Sequence, residues 1–264
     1  MKQYQTIRNI LTPIILCITL MVACSDNDSG TYDGGGGESG TGGSMARFTL
    51  NGDYLYTVDS RTLKTFDLST PGQPKYLDKK DQQMNFGIET IFSMDTLLFI
   101  GSQDGMYIYN ITRNEFPQQM SVTRYIRSCD PVVAQGNFAY VTLNSENTWC
   151  GNTSNLLEIY NISDPYKPKL VRTETGFTAP RGLGIDKNML FICDDGIKLY
   201  DVSDPERPKW IDDFTHIAEA KNIDTYDVIP LNGLLLVIGA DGLYQFDYSD
   251  NKLVFLSKTE INRR

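Results

Sequence analysis

A short motif recurs along the chain and limits the folds that are open to it. In each copy an aromatic residue precedes Asp or Asn, then an apolar residue, then Ser or Thr. The copies are Phe66–Ser69, Tyr109–Thr112, Tyr160–Ser163, Tyr200–Ser203 and Phe246–Ser249. They recur about every 40 to 50 residues, which is typical of propeller blades, solenoids and other repeat arrays. Because the surrounding segments are short, aromatic and β-branched rather than apolar at i, i+3 and i+4, the sequence predicts β blades.

Three repeats contain a second strand-like run that is apolar throughout. These runs are Leu97–Ile100, Met189–Ile192 and Leu234–Val237. A sheet with one solvent-exposed face would alternate apolar and polar residues, so both faces of these sheets must be covered by protein. Stacked blades cover both faces of each sheet. We therefore predict an all-β fold, a β-propeller of five four-stranded blades over residues 45–264, whose ring closes by packing of blade 1 against blade 5.

Turn residues mark the ends of the predicted strands. Asp-Gly pairs predict tight hairpins between the second and third strands, because Gly tolerates the positive φ of such turns. The pairs are Asp104-Gly105, Asp195-Gly196 and Asp241-Gly242. The Asp or Asn of the recurring motif can accept hydrogen bonds from nearby backbone amides. The Pro residues after it lack a backbone N–H, so they end the hydrogen bonding between neighbouring strands. We therefore interpret acids such as Asp201 and Asp204 as builders of turns.

The N-terminal residues predict export and lipid attachment. Lys2 and Arg8 precede an apolar run of roughly 14 residues, which is too short to span a bilayer but suits a signal peptide. Met21-Val22-Ala23-Cys24 resembles a bacterial lipobox, with Met21 where Leu is usual. We predict that residues 1–23 are a lipoprotein signal peptide and that Cys24 is acylated; simple secretion with an incidental cysteine is the alternative.

The residues after Cys24 predict where the protein is located and how the propeller is tethered. Ser25–Asp28 resembles the acidic signal that sends lipoproteins of some Gram-negative bacteria to the outer face of the outer membrane, so we expect a lipid-anchored protein at the cell surface. The Gly- and Ser-rich composition of residues 24–44 predicts a flexible tether. A net charge of -9 without a basic stripe argues against nucleic acid as a partner. The lipid anchor should therefore make the contact with the membrane.

Three cysteines remain after the signal peptide and the acylated residue are set aside. Cys129 lies just before the first strand of blade 3, and Cys150 lies in a long insert, Ser145–Asn155, on the same predicted face. We predict a Cys129–Cys150 disulfide, which an exported protein can keep. The alternative is two free thiols that lie too far apart to pair. Cys193 lies inside an apolar strand, where it should be a buried small hydrophobic residue.

The third strand and turn of two repeats carry a family resemblance. An aliphatic, acidic pattern followed by Ser-Asp-Pro-x-x-Pro is found in Leu157–Val171 and Leu199–Pro208. These segments resemble the LVIVD-repeat β-propeller lipoproteins, although repeats two and five lack the Pro pair. The resemblance covers most of residues 46–264. It implies a cell-surface propeller without an established activity, so no catalytic residues are carried over.

Alignment of the repeats also predicts a place for a ligand. It puts five polar residues at one equivalent position near the start of the innermost strands: Arg47, Thr90, Asp130, Arg181 and Asp227. In a propeller these side chains would surround the mouth of the central channel. Three neighbours could add a guanidinium and aromatic faces for a sugar or peptide: Arg127, Trp149 and Tyr226. The alternative is that the polar residues only pair with one another around a solvated funnel.

Signals for catalysis and metal binding are weak. His216 is the one histidine, and its acidic neighbours fit a solvated loop better than a metal site. We predict no metal, no cofactor and no catalytic residue. The sequence favours a binding or scaffolding module for a glycan, a peptide or a partner envelope protein. The alternatives are a hydrolase or lyase that acts on extracellular polysaccharide with channel carboxylates, and a subunit that only assembles with other envelope proteins.

Overall fold

A computed structural model describes residues 43–84, 87–124, 131–145, 154–221, 223–250 and 252–261. The predicted signal peptide, Cys24 and nearly all of the tether lie outside these residues. The described residues form five antiparallel sheets, each with four strands in chain order, and the first sheet has one additional short strand. The sheets are the blades of a five-bladed β-propeller, as the repeat predicted. No helix among the described residues has the length and apolar character needed to cross a membrane.

The strands of each blade follow one another along the chain. Blade 1 contains β1 (Phe48–Asn51), β2 (Tyr54–Val58), β3 (Thr62–Asp67), β4 (Lys75–Tyr76), a 3-10 helix (Asp78–Lys80) and β5 (Gln82–Gln83), which pairs with β3. Blade 2 contains β6 (Ile88–Met94), β7 (Leu97–Ser102), β8 (Gly105–Asn110) and β9 (Gln118–Arg124). Blade 3 contains β10 (Val132–Gln135), β11 (Phe138–Leu143), β12 (Leu156–Asn161) and β13 (Lys169–Glu174). Blade 4 contains β14 (Leu183–Asp186), β15 (Met189–Cys193), β16 (Ile197–Asp201) and β17 (Lys209–Asp212). Blade 5 contains β18 (Thr225–Leu231), β19 (Leu234–Gly239), β20 (Gly242–Asp247) and β21 (Val254–Glu260).

The first strand of each blade is the innermost one. The first strands of successive blades contact one another along the series β1, β6, β10, β14 and β18. Backbone hydrogen bonds join two pairs of neighbouring blades here. Between blades 1 and 2, Ile91 N donates to Ala46 O at 2.9 Å, and between blades 4 and 5, Gly182 N donates to Tyr226 O at 2.9 Å. We call the side of the ring where the first strands begin the mouth face. Of the predicted ligand residues, Arg47, Thr90, Arg181, Tyr226 and Asp227 are described, and they lie at or near the starts of these first strands.

Four apolar cores lie between successive blades. Each core combines one face of a blade with the opposing face of the next, from blades 1 and 2 through blades 4 and 5. The uniformly apolar second strands are explained by this arrangement, because alternate residues of one strand enter different cores. Phe191 lies in the core with blade 5, whereas Leu190 and Ile192 lie in the core with blade 3. Cys193 is fully buried in the core with blade 5, as predicted, and its thiol is free.

The junction of blade 1 with blade 5 differs from the other four. Among the described residues no buried apolar cluster joins these two blades. They are connected instead by the segment before β1: Ser44 Oγ donates to Asp227 Oδ1 at 2.9 Å, and Met45 N donates to Asp227 Oδ2 at 3.0 Å. Polar contacts at the mouth face therefore replace the shared core that stacking would provide.

The recurring motif builds the same turn in every blade. The side-chain oxygen of its Asp or Asn accepts a hydrogen bond from the backbone N–H two residues later, at 2.7 to 2.9 Å. The five acceptors are Asp67, Asn110, Asn161, Asp201 and Asp247. This confirms that the most prominent acids of the sequence are structural. The N–H of the residue directly after each acceptor donates to the hairpin between the first two strands, so the motif also fixes one end of each blade.

Candidate ligand site at the channel mouth

Arg181 and Tyr226 lie together at the mouth face, between blades 4 and 5. Arg181 precedes β14, and its guanidinium carbon lies 5.3 Å from the centre of the Tyr226 ring on β18. Nη1 of Arg181 also lies 2.6 Å from Asp224 Oδ1 and donates to Thr225 O at 3.3 Å. The backbone oxygen of Arg181 accepts from Thr142 Oγ1 in blade 3 at 2.6 Å. Contacts with residues 224–226 therefore hold the guanidinium beside the ring, and Thr142 holds the Arg181 backbone.

Asp227 is the acceptor of a hydrogen-bonded cluster that we call the latch, formed with Ser44 and Met45. In addition to the two hydrogen bonds from these residues, Oδ1 accepts from Val228 N at 3.0 Å. The Ser44 hydroxyl in turn accepts from Leu183 N in blade 4 at 2.7 Å. Burial raises the pKa of Asp227 to about 6, although the hydrogen bonds from Met45, Ser44 and Val228 act to lower it.

The latch leaves no room for larger residues at two glycines. A Cβ on Gly43 would lie 2.0 Å from Asp227 Oδ2, and a Cβ on Gly182 would lie 2.3 Å from Asp227 Oδ1. Gly43 and Ser44 are the last residues of the predicted tether, and both are buried. The close approach of backbone to carboxylate explains why glycine stands at both positions.

The predicted alignment of the five polar residues is correct for three blades and wrong for blade 4. Arg47, Thr90 and Asp227 occupy equivalent places four residues before the end of the first strand. In blade 4 that place belongs to Gly182, because Gly182 O accepts from Cys193 N while Arg181 N donates to Cys193 O. Two residues thus oppose one, as in a β-bulge, and the same bulge precedes Thr90 in blade 2 and Asp227 in blade 5. Arg181 therefore corresponds to Tyr226, one residue before the aligned place. A shift of one residue turns a side chain to the other face, so the alignment could not place Arg181 reliably.

The predicted residues do not all reach the mouth surface. Thr90 is buried at 1% exposure, whereas Arg47 is exposed just before β1. The structure therefore brings together Arg181, Tyr226 and Asp227. Five residues named by the sequence lie outside the described residues, and with them the predicted disulfide: Arg127, Cys129, Asp130, Trp149 and Cys150.

A cavity of about 390 Å³ lies at the mouth face of blade 5. Asp224, the ion-pair partner of Arg181, is one of its lining residues. A second charged group lines the cavity: Lys258 Nζ lies 2.6 Å from Asp241 Oδ2, and Tyr244 OH donates to Asp241 Oδ1 at 2.6 Å. The hydrogen bonds from Lys258 and Tyr244 hold the pKa of Asp241 below its ordinary value, and the bond to Asp241 raises the pKa of Lys258.

Sequence reasoning missed the Asp224, Asp241 and Lys258 side chains as parts of a site. A signal was present for two of them, because Asp241 belongs to a predicted Asp-Gly turn and Lys258 stands on the strand that pairs with it. Blade 2 repeats the arrangement: Tyr107 OH donates to Asp104 Oδ1 at 3.0 Å, and Arg124 Nη1 lies 3.8 Å from Asp104 Oδ2. Aspartate, tyrosine and cation therefore form a recurring unit of the mouth face.

No cluster of three or more His, Cys, Asp and Glu residues that could hold a metal ion occurs in the described part of the chain. The His216 side chain is 64% exposed, and its Nδ1 lies 3.5 Å from Asp212 Oδ1. The carboxylates named above at the mouth face are engaged with Arg181, Lys258 and the latch. Their arrangement offers paired charges to a ligand, beside the contact between Arg181 and the Tyr226 ring.

No protein-family model and no curated protein matches the sequence. Solved structures do share its fold. A functionally unknown protein from Desulfotomaculum acetoxidans aligns with a TM-score of 0.62 and 12% identity over 84% of this chain and 69% of its own. The periplasmic gluconolactonase PpgL of Pseudomonas aeruginosa aligns at 0.57 and 14% over 80% and 68%, and BamB from Moraxella catarrhalis at 0.50 and 11% over 81% and 64%. At these identities the likeness shows a common fold and carries no activity to this chain.

Proposed function

We propose that this propeller is a binding or scaffolding module and that it takes a glycan or peptide at the mouth face, beside Arg181. One observation carries the proposal: Asp224, which pairs with Arg181 beside the Tyr226 ring, lines a cavity of about 390 Å³. A volume of that size is in the range of small-molecule sites, and it would accommodate one or two sugar units or a short peptide turn.

The charges around the cavity favour a polar ligand without a large net charge. Arg181 is paired with Asp224, and Lys258 is paired with Asp241. The lining of the cavity adds one more charge of each sign, from Lys221 and Glu219. Such pairs present both donors and acceptors to hydroxyl and amide groups. The Tyr226 ring supplies an apolar face against which a sugar ring or a side chain could pack. These properties support a glycan or peptide over a phosphorylated ligand or nucleic acid.

We also propose that the protein is a lipoprotein at the cell surface. Met21–Cys24 supports acylation at Cys24, and Ser25–Asp28 supports export to the surface of a Gram-negative outer membrane. The Ser-Asp-Pro-x-x-Pro turns support membership of the LVIVD-repeat lipoproteins. In this setting the ring would be held at the membrane by its lipid and would offer the mouth face to glycans, peptides or partner proteins of the envelope. Labelling of cells with a radioactive fatty acid tests the anchor, because a Cys24→Ala chain should remain unlabelled.

Two assays of the full chain test the binding role. A glycan array tests sugars directly, and a cross-linking pull-down from intact cells tests peptides and proteins. Tyr226→Ala should abolish the signals that the wild type gives, whereas Tyr166→Ala, at a 62% exposed tyrosine on blade 3, should leave them unchanged. Equal binding by both variants would remove the mouth face from consideration.

Polysaccharide hydrolysis is the weaker candidate, because the carboxylates of this face are bound within the chain. Both oxygens of Asp227, the channel carboxylate nearest to the site, accept hydrogen bonds from the chain itself. Asp224 is paired with Arg181. The hydrogen bonds from Lys258 and Tyr244 hold the pKa of Asp241 below its ordinary value, which opposes the protonated state that a general acid requires.

A further inference from the structure

Two further cavities lie on the side of the ring opposite the mouth face, at blades 4 and 5. The first strands end on this side and the recurring motif makes its turns there, so we call it the turn face. A cavity of about 550 Å³ lies along blade 4, and one of about 190 Å³ lies between the β14–β15 and β18–β19 hairpins. Lys187 and Met189 line both cavities, which are therefore neighbours. The larger volume is in the range of small-molecule sites.

Ile211 gives the larger cavity an apolar wall that the neighbouring blade does not cover. It is the extra residue of a β-bulge on β17, between Trp210 and Asp212. The extra residues of the same bulge in blades 2 and 3 are Met120 and Val171, and each packs against the core shared with the next blade. Ile211 is 42% exposed and is absent from the four cores of the described residues. An apolar ligand group in the cavity would cover this side chain.

Lys187 occupies a backbone position that does not favour lysine. It is the first of the two residues in the β14–β15 hairpin, and its φ is +53°. The equivalent residues of the other four hairpins have φ between +44° and +56°, and they are Gly52, Asp95, Gly136 and Asn232. Gly, Asn and Asp tolerate this left-handed conformation better than lysine does. A residue held at such a backbone cost points to a function for its side chain.

The Lys187 ammonium group is available to a ligand. Its Nζ donates to Asn232 Oδ1 at 3.5 Å, and it forms no ion pair with any residue that the structure describes. An ammonium group has three donors, so it can bind a carboxylate while it keeps this long hydrogen bond. The cation stands beside Met189, which is half-buried and packs against the core between blades 4 and 5.

Two carboxylates on the lining limit the charge that a ligand can carry. Asp186 Oδ2 accepts from Tyr248 OH at 2.8 Å, and Asp201 Oδ1 accepts from Ser203 N at 2.8 Å. Asp186 lines the smaller cavity and Asp201 lines the larger one. Because like charges repel, these acids disfavour a ligand with several negative charges. One carboxylate placed directly on the lysine is the anionic group that fits best.

We propose that the turn face binds a small monocarboxylate with an apolar chain. The carboxylate lies on Lys187 Nζ, and the chain lies in the larger cavity against Met189 and Ile211. Such a ligand gains a charge-assisted hydrogen bond and covers the apolar side chain that blade 4 leaves open. The site lies on the opposite side of the ring from Tyr226, so it is separate from the binding role proposed for the mouth face.

NMR titration of the full chain, with isotope-labelled methionine methyl groups, tests this site. The Met189 signal is identified by its loss in Met189→Leu. Hexanoate, hexanol and hexylamine serve as probes, because they share one chain length and differ in charge. We expect hexanoate to shift the Met189 signal to saturation and to bind about fivefold more tightly than hexanol, as exposed ion pairs contribute up to this amount. Hexylamine should bind more weakly than hexanoate.

Three variants separate the role of the charge from the role of the fold. Lys187→Met removes the charge and should weaken hexanoate binding about fivefold, with hexanol binding unchanged. Lys167→Met, at an exposed lysine in the motif turn of blade 3, should leave both affinities unchanged. Lys187→Asn introduces the residue that stands at the equivalent place in blade 5. It should weaken hexanoate binding equally and should not lower the free energy of unfolding.

Several results would overturn the proposal. One is a Met189 signal that hexanoate does not shift to saturation. Others are equal affinity for the three probes, tighter binding of hexylamine than of hexanoate, or unchanged hexanoate binding by Lys187→Met. A loss of stability in Lys187→Asn would show that the lysine serves the fold instead. None of these variants alters Tyr226 or the cavity of the mouth face, so this site and the binding role fail independently.

Discussion

Ser44 Oγ donates a hydrogen bond of 2.9 Å to Asp227 Oδ1, and this contact joins the residues before blade 1 to the first strand of blade 5. The same hydroxyl accepts from Leu183 N at 2.7 Å, so one serine contacts two blades. The other four blade junctions each contain a buried apolar core. At the junction between blades 5 and 1, a small polar cluster with matched donors and acceptors takes the place of such a core.

Ser44→Ala should destabilise the folded propeller. The change removes a donor to Asp227 and an acceptor for Leu183 N, and it leaves buried polar groups without those partners. We expect a loss of about 1 to 3 kcal/mol in the free energy of unfolding, measured by urea denaturation. Ser163→Ala, at an exposed serine, should change it by less than about 0.5 kcal/mol. Equal stability of the two variants would show that the latch contributes nothing.

Asp227 should make stability depend on pH between about 4 and 6. Its pKa is raised from 3.8 to about 6 in the folded protein, so the folded state holds the proton more tightly than the unfolded state. The stabilisation is complete below the unfolded pKa and is lost as the pH rises through the folded pKa. Relative to Asp227→Asn, the wild type should lose about 3 kcal/mol of unfolding free energy from pH 3.5 to pH 7. A difference between the two proteins that stays constant with pH would contradict the assignment.

The repeated turns should depend on an acceptor rather than on a charge. Asp201 Oδ1 accepts from Ser203 N at 2.8 Å, and this bond is the main cause that lowers the pKa of Asp201. Asp201→Ala removes the acceptor and should cost about 1 kcal/mol near neutral pH, whereas Asp201→Asn retains an acceptor and should cost less. Because the pKa is lowered on folding, the advantage of Asp over Asn should disappear as the pH falls through that pKa. Thermal unfolding of both variants at pH 7 and pH 2 measures these differences.

Much of the fold could be predicted because the determinants of the blades are local in sequence. The turn acceptor at Asp201, the hairpin glycines and the apolar second strands each lie within one repeat. The latch could not be predicted, because it joins Ser44, in a Gly- and Ser-rich tract, to Asp227 at the far end of the chain. The composition of that tract predicted a flexible tether and gave no sign that Ser44 contacts blade 5.

The candidate site was predicted only in part for a similar reason. Arg181 and Tyr226 were named because they stand near the starts of first strands, which the repeat located. Asp224 and Lys258 were missed, because they reach the site from a loop and from an outermost strand. Arg181 was aligned one residue out of register, at the place that Gly182 occupies in the paired strands. The bulge itself recurs in blades 2, 4 and 5, but its position becomes visible only when the strands are paired.

Alanine substitutions at two glycines should show how the loss of stability from a steric clash compares with the loss from backbone strain. A Cβ on Gly242 would lie 2.5 Å from Thr259 O, so Gly242→Ala should push β20 and β21 apart and cost about 3 kcal/mol. Gly52 has a φ of +55°, and a Cβ added there would meet nothing within 4 Å, so Gly52→Ala should cost only about 1 kcal/mol. Urea denaturation ranks the two variants. A larger loss for Gly52→Ala would contradict the close pairing of these outer strands.

The most direct test of the binding role compares Tyr226→Ala, Tyr166→Ala and wild type on one glycan array and in one cross-linking pull-down from intact cells. Circular dichroism should first show that all three chains are folded. We predict that the ligands bound by the wild type are retained by Tyr166→Ala and lost by Tyr226→Ala. If Tyr226→Ala binds every ligand as the wild type does, the mouth face beside Arg181 is not the binding site of this propeller.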